Sequence, residues 1–152
     1  LFEVLRLQRG YTYGASSSFS PNLDYGVFAA ASSVQGSATK ESVALFQEIF
    51  SNFGPEFTQE NLDGVKASML RANASKFETS QSLVGMLNSI RNNKLSDDYI
   101  TKEENVVRDI TIDEFKALSE KYLNVDNMIF VIVGDAATQF KNVPNAKMLK
   151  SL

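Results

Sequence analysis

Arg6 and Tyr13 are the side chains whose types and spacing best suit chemistry. The arginine lies near the end of a helix, and the phenol lies two residues into the strand that follows. Gly10 lets the chain turn sharply between them, so a cation and a hydroxyl seven positions apart can converge on one point. Gly14, Ala15, Ser16 and Ser17 follow with small side chains only, and another backbone can come close to such a strand. An approachable strand, an Arg donor and a Tyr hydroxyl are what an extended peptide would use. On spacing alone the plainer alternative is favoured, with Tyr13 packed against its neighbours and Arg6 a surface charge.

Other chemistry is narrowed by two absences, since the 152 residues include no His and no Cys. The commonest zinc ligand, the usual general base and every thiol nucleophile are missing. The chain can neither run a Ser–His mechanism nor hold a conventional catalytic zinc by itself. Ser37-Ala38-Thr39-Lys40 has the spacing in which a lysine activates a serine, but the companion motifs are absent, and a loop before a capped helix accounts for it. Asp97-Asp98 and Glu103-Glu104 are adjacent pairs that do not face each other on a helix, so they read as solvated surface. Val131 to Asp135 has the outline of a strand entering a nucleotide loop, yet no glycine-rich phosphate motif follows. Asn73-Ala74-Ser75 fits a glycosylation sequon within an expected helix.

The elements that must position Arg6 and Tyr13 follow from periodicity. Leu1 to Gln8 reads as a helix end stopped by Gly10. Tyr11 to Phe19 alternates as a strand, Ser20 to Asp24 has turn chemistry, and Tyr25 to Val34 is a second strand completing an antiparallel hairpin. Thr39 is expected to cap a helix over Lys40 to Asn52, ended by Gly54-Pro55. Thr58 and Ser80 are expected to cap two more, the second with Leu83, Val84, Leu87 and Ile90 inside. A short helix is expected within Leu95 to Ile110, carrying Val106 and Val107. Thr111-Ile112-Asp113-Glu114 is a capping box opening a further helix. Met128 to Val133 is apolar on both faces and reads as a central buried strand. The stretch from Ala136 to Leu152 is weakly patterned, with Phe140 and Val143 as expected anchors.

This order predicts an α+β fold: a two-layer sandwich of a mostly antiparallel sheet with helices packed on one face. It predicts a single domain over 1–152 with its core in 1–135. So few strands make a thin sheet, and a partner strand preceding Leu1 is expected, as for a fragment of something longer. Composition agrees with a globular domain, at 43% hydrophobic and 22% charged residues. The net charge of −3 lacks the basic surplus usual for a nucleic-acid binder, and no stretch approaches the ~20 apolar residues needed to span a bilayer.

The run Leu5-Arg6-x-x-Arg9-Gly10-x-Thr12-Tyr13-Gly14, followed by Ser16-Ser17-Ser18-Phe19, resembles the insulinase, pitrilysin and mitochondrial-processing-peptidase family of zinc peptidases. The likeness is to the second, zinc-free domain. It continues through the small residues of Gly26 to Val34, Thr39, Lys66, Phe77-Glu78-Thr79, Thr111-x-x-Glu114 and Val131-x-Val133-Gly134-Asp135. The resemblance implies a metallopeptidase half-domain, here without the family's opening strand, belonging to a two-domain or four-domain peptidase. A homologous half, in the same parent chain or a separate subunit, would carry H-x-x-E-H and zinc. This chain alone would be inactive and hold no metal. Arg6 and Tyr13 match the family's Arg–Tyr pair, which holds peptide or unfolded protein substrate near the scissile bond. Gly14 to Ser17 would form the peptide-contacting strand. The alternatives are a non-catalytic structural or assembly subunit of the same fold, or a free-standing peptide-binding module. Bacterial relatives point to the periplasm or cell envelope.

Overall fold

The computed structural model describes residues 1–75, 77–143 and 146–147. The fold is α+β, with a two-stranded antiparallel sheet and six α-helices among the described residues. The chain divides into two compact units, Leu1–Pro21 with Tyr25–Phe53 and Leu123–Leu152, and Asn22–Asp24 with Gly54–Tyr122.

The first unit holds the hairpin. Its opening helix, Glu3–Gln8, is a π-helix, not an α-helix: the Arg9 N–H reaches back five residues to the Val4 carbonyl at 3.1 Å. Leu5 points inward and is fully buried. Gly10 then adopts φ +66, a left-handed conformation that a side chain would resist, and the chain reverses into β1, Thr12–Pro21. β2, Gly26–Val34, pairs with it from Thr12↔Val34 to Pro21↔Gly26. Phe28, Ala30, Ser32 and Val34 alternate toward the interior of the unit, as a half-buried strand requires. Phe28 meets Phe19 at 4.8 Å and Phe50 edge-on at 5.2 Å, which seats the first part of α1, Thr39–Glu56, against the hairpin.

Two expectations for α1 are corrected. Thr39 lies inside the helix and donates to the Gly36 carbonyl of a preceding 3-10 turn, Gly36–Ala38, so it does not cap the helix. Nor do Gly54-Pro55 stop it at once: the helix runs one residue past Pro55, whose missing N–H costs a single i→i−4 bond in the last turn. Gly54 serves packing in the second unit: a Cβ there would lie 2.9 Å from Cβ and Oγ of Ser119.

The second unit is helical, with α2 Gln59–Ser75, α3 Ser80–Asn92, α4 Tyr99–Asp109 and α5 Ile112–Tyr122. Thr58 caps α2 as expected, its hydroxyl accepting from Asn61 N–H while Asn61 Oδ1 accepts from Thr58 N–H. At α3 the cap is Thr79, one residue earlier than Ser80, and Leu83, Val84 and Leu87 are exposed, so that stripe is not core. Val106 on α4 is likewise exposed. The second unit is built instead on buried Leu62, Phe57 stacked on Phe115 at 4.1 Å, and Lys66 donating to the Arg108 carbonyl at 2.9 Å.

The capping box of α5 forms as read. Thr111 N–H donates to Glu114 Oε2 at 2.8 Å, and Glu114 N–H donates to the Thr111 hydroxyl at 3.3 Å. The Thr111 backbone N–H, followed by its hydroxyl, holds the Glu114 carboxyl below its ordinary 4.5. A carboxylate depressed in the folded state adds stability above its unfolded value and loses it as pH falls through the folded value. Glu114→Gln is therefore expected to melt below the parent protein at neutral pH, with the gap closing as pH drops below 4.5. A gap constant across that window in thermal melts would refute it.

The largest correction concerns Met128 to Val133. The run lies outside any strand, and side-chain exposure alternates along it: Ile129 90%, Val131 74% and Val133 93%, against 37% for Phe130 and 39% for Ile132. The period of two fits an extended path, but no ladder pairs it among the described residues. Apolarity on both faces states what the run would bury, not that a covering layer is present. After it, Asp135 accepts from Ala137 N–H and caps α6, Ala136–Asn142, which the weak patterning did not predict. Val143 is half-buried; the side chain of Phe140 lies outside those described.

Candidate functional site

Arg6 sits on the outer side of the π-helix, one residue after buried Leu5. Its guanidinium also lies 5.2 Å from the centre of the Phe2 ring, a cation–π contact that limits its freedom. Arg6 Nη1 donates to the carbonyl of Tyr13 at 2.7 Å. The two residues are thus brought together across the Gly10 turn, but through the tyrosine backbone. The Tyr13 ring is 92% exposed and is not packed against its neighbours. One guanidinium N–H is committed to that carbonyl, and the guanidinium has five.

The expected strict alternation of the first strand is broken at this point. The register shifts between Thr12↔Val34 and Ala15↔Ser32, so Tyr13 and Gly14 together face Ser33 alone. This is a β-bulge, a device that bends a strand and re-aims a side chain. Sequence reasoning missed the residues that form it. Thr12 is buried, and its hydroxyl accepts from Gly14 N–H at 3.0 Å and lies 2.7 Å from the Ser33 carbonyl. Ser32 Oγ lies 2.9 Å from the Gly14 carbonyl and 3.0 Å from Thr12 Oγ1. The signal available was a hydroxyl residue beside a Gly in each strand, too common to single out.

The other members of the peptide-contacting stretch are accessible. Gly14, Ser16 and Ser17 are exposed, Ala15 is half-buried, and a Cβ on Gly14 would meet nothing within 4 Å. Ala15, Ser16 and Ser17 pair with Ser32, Ala31 and Ala30 on one edge of β1. A shallow cleft of about 220 Å³, lined by Arg9, Tyr11, Glu41, Ala44, Leu45 and Glu48, includes neither Arg6 nor Tyr13.

Two of the remaining sequence candidates have structural roles. Asp98 pairs with Lys102 at 2.9 Å, and hydrogen bonding from Ser96, then Lys102, lowers its pKa. Glu104 accepts from the buried Asn73 amide at 3.1 Å, which occupies the sequon asparagine. Among the described residues no group of three or more acidic side chains is gathered as a metal site, and no helix is long and apolar enough to cross a membrane.

With this geometry in hand, the comparisons are specific. Residues 1–69, which contain the π-helix, the hairpin and α1, match the family model for the peptidase M16 inactive domain. The crystal structure of the peptidase M16 inactive domain from Pseudomonas fluorescens is similar over 82% of this chain, with a TM-score of 0.71 and 26% identity. The match covers 30% of that chain, so the present sequence spans under a third of its length. No curated protein matches. In sequence over residues 1–69 and in fold, the chain is thus similar to the peptidase M16 inactive domain.

Proposed function

We propose that this chain is the accessory half of a zinc metalloendopeptidase: it completes the substrate chamber and holds extended peptide through Arg6 and Tyr13. The observation that supports this most is the Arg6–Tyr13 carbonyl bond at 2.7 Å beside an exposed Tyr13 ring and the open strand Gly14 to Ser17. The guanidinium retains donors for a peptide carbonyl, the phenol is free to donate, and small side chains let a second backbone approach. In this reading the partner half carries zinc, in the same chain or another subunit, and the metal polarises the scissile carbonyl and activates water. This chain supplies orientation and a donor for charge that develops on the carbonyl oxygen.

Titration with reduced and carboxymethylated α-lactalbumin, an unfolded protein, tests the peptide-holding part. Amide resonances of Gly14 to Ser17 are expected to shift. Arg6→Ala should weaken binding roughly tenfold or more, the value of ~1.5–3 kcal/mol for a hydrogen bond to a charged group. Shifts confined to α2 and α3, or unchanged affinity in Arg6→Ala, would remove the assignment.

A further inference from the structure

We propose that Thr12 and Ser32 are positioning residues for the Arg6–Tyr13 pair: their hydroxyls clasp the bulge that turns Tyr13 outward for an extended peptide. The inference rests on the peptide-holding reading above and extends it to two side chains that need not touch the peptide.

The clasp closes on itself. Thr12 Oγ1 lies 2.7 Å from the Ser33 carbonyl across the hairpin and 2.8 Å from the Gly14 carbonyl, and Ser32 Oγ lies 2.9 Å from the Gly14 carbonyl and 3.0 Å from Thr12 Oγ1, so two hydroxyl protons are shared among these acceptors. The Gly14 N–H donates to Thr12 Oγ1 at 3.0 Å. Both polar ends of Gly14, the residue directly after Tyr13, are thus tied down. On the other side of Tyr13, Thr12 is paired with Val34. Tyr13 is held between two fixed neighbours, while its carbonyl faces Arg6. Without the clasp, the ladder has no reason to keep two residues opposite one. A strand that kept the Ala15↔Ser32 pairing without the bulge would set Tyr13 opposite Val34 and move it to the other face, because the side-chain period is two. Burial strengthens the device: a Thr12 side chain without its hydroxyl would leave the Gly14 N–H without its acceptor.

The test uses Thr12→Val, which keeps the branched shape and deletes the hydroxyl, and Thr12→Ser, which restores it. In the ligand-free protein, Gly14 amide exchange in Thr12→Val should quicken at least tenfold, and a fluorotyrosine signal at Tyr13 should move toward the random-coil position. Thr12→Ser should keep both near the parent values. Affinity for carboxymethylated α-lactalbumin should fall about tenfold in Thr12→Val and recover in Thr12→Ser. Ser32→Ala provides the same readouts if Thr12→Val does not fold. If the parent protein binds the unfolded chain and both Thr12→Val and Ser32→Ala bind it equally well, the clasp has no positioning role and only this proposal fails. If the parent does not bind it at all, the peptide-holding reading fails and takes this proposal with it.

Discussion

Under the proposed function, Tyr13→Phe in a peptidase that joins this chain to a zinc-bearing half should lower kcat by roughly 10²- to 10³-fold, the usual loss for one donor to a developing oxyanion. KM should change little, because the bond strengthens only in the transition state. Folding should be untouched: the ring is almost wholly exposed, and the hydroxyl makes no hydrogen bond among the described residues. A packed tyrosine losing a buried bond would instead cost about 1 kcal/mol of stability and leave kinetics per folded molecule unchanged. Paired melting and peptide-hydrolysis assays separate the two. Normal kcat/KM in the variant would end the claim that Tyr13 takes part in turnover.

Leu5→Ala carries the largest expected effect on stability. Leu5 is the only side chain among those described with essentially no exposure. Its N–H donates to the Leu1 carbonyl at 2.8 Å, and its carbonyl accepts from Tyr11 at 2.9 Å, so the buried side chain pins both ends of the turn that carries Arg6. Truncation removes transfer energy and leaves a cavity, together about 3 kcal/mol in the ~2.7–5 kcal/mol range for such sites. For a chain of this size that is a Tm decrease of about 6–12 °C. Leu5→Met should cost under ~1.5 kcal/mol, since the volume is kept. A loss below about 1 kcal/mol for Leu5→Ala in thermal melts would mean that Leu5 is not an anchor.

What could be read in advance follows the range of the forces involved. The cap at Thr58 and the capping box at Thr111 close within three residues, so residue type and spacing suffice to find them. The hairpin was legible from an alternating run and an Ala- and Ser-rich run on either side of the turn at Ser20 to Asp24. Arg6 and Tyr13 were legible as a pair, yet their contact runs through a carbonyl that spacing does not specify. The bulge depends on Ser32, twenty residues from Thr12, and one added residue in a ladder leaves no periodic trace. The π-helix differs from an α-helix by one residue per hydrogen-bond ring, again invisible in the apolar pattern. Gly54 shows the opposite failure: a residue read as a helix stop is there because Ser119 stands too close for a Cβ.

The uncovered Met128 to Val133 run bears on how the polypeptide behaves as a colloid. Six uncharged residues, five of them β-branched or aromatic, without proline and with three side chains facing water, have the composition that stacks chain upon chain. No lysine, glutamate or proline within the run acts as a gatekeeper. The acidic surplus of three charges keeps molecules apart by weak, salt-screened repulsion. Added salt removes that repulsion and, when the salt is kosmotropic, deepens the apolar attraction, so the two terms shift toward association together. Salt-dependent association of the protein is thus expected to begin at these six residues and not at the hairpin.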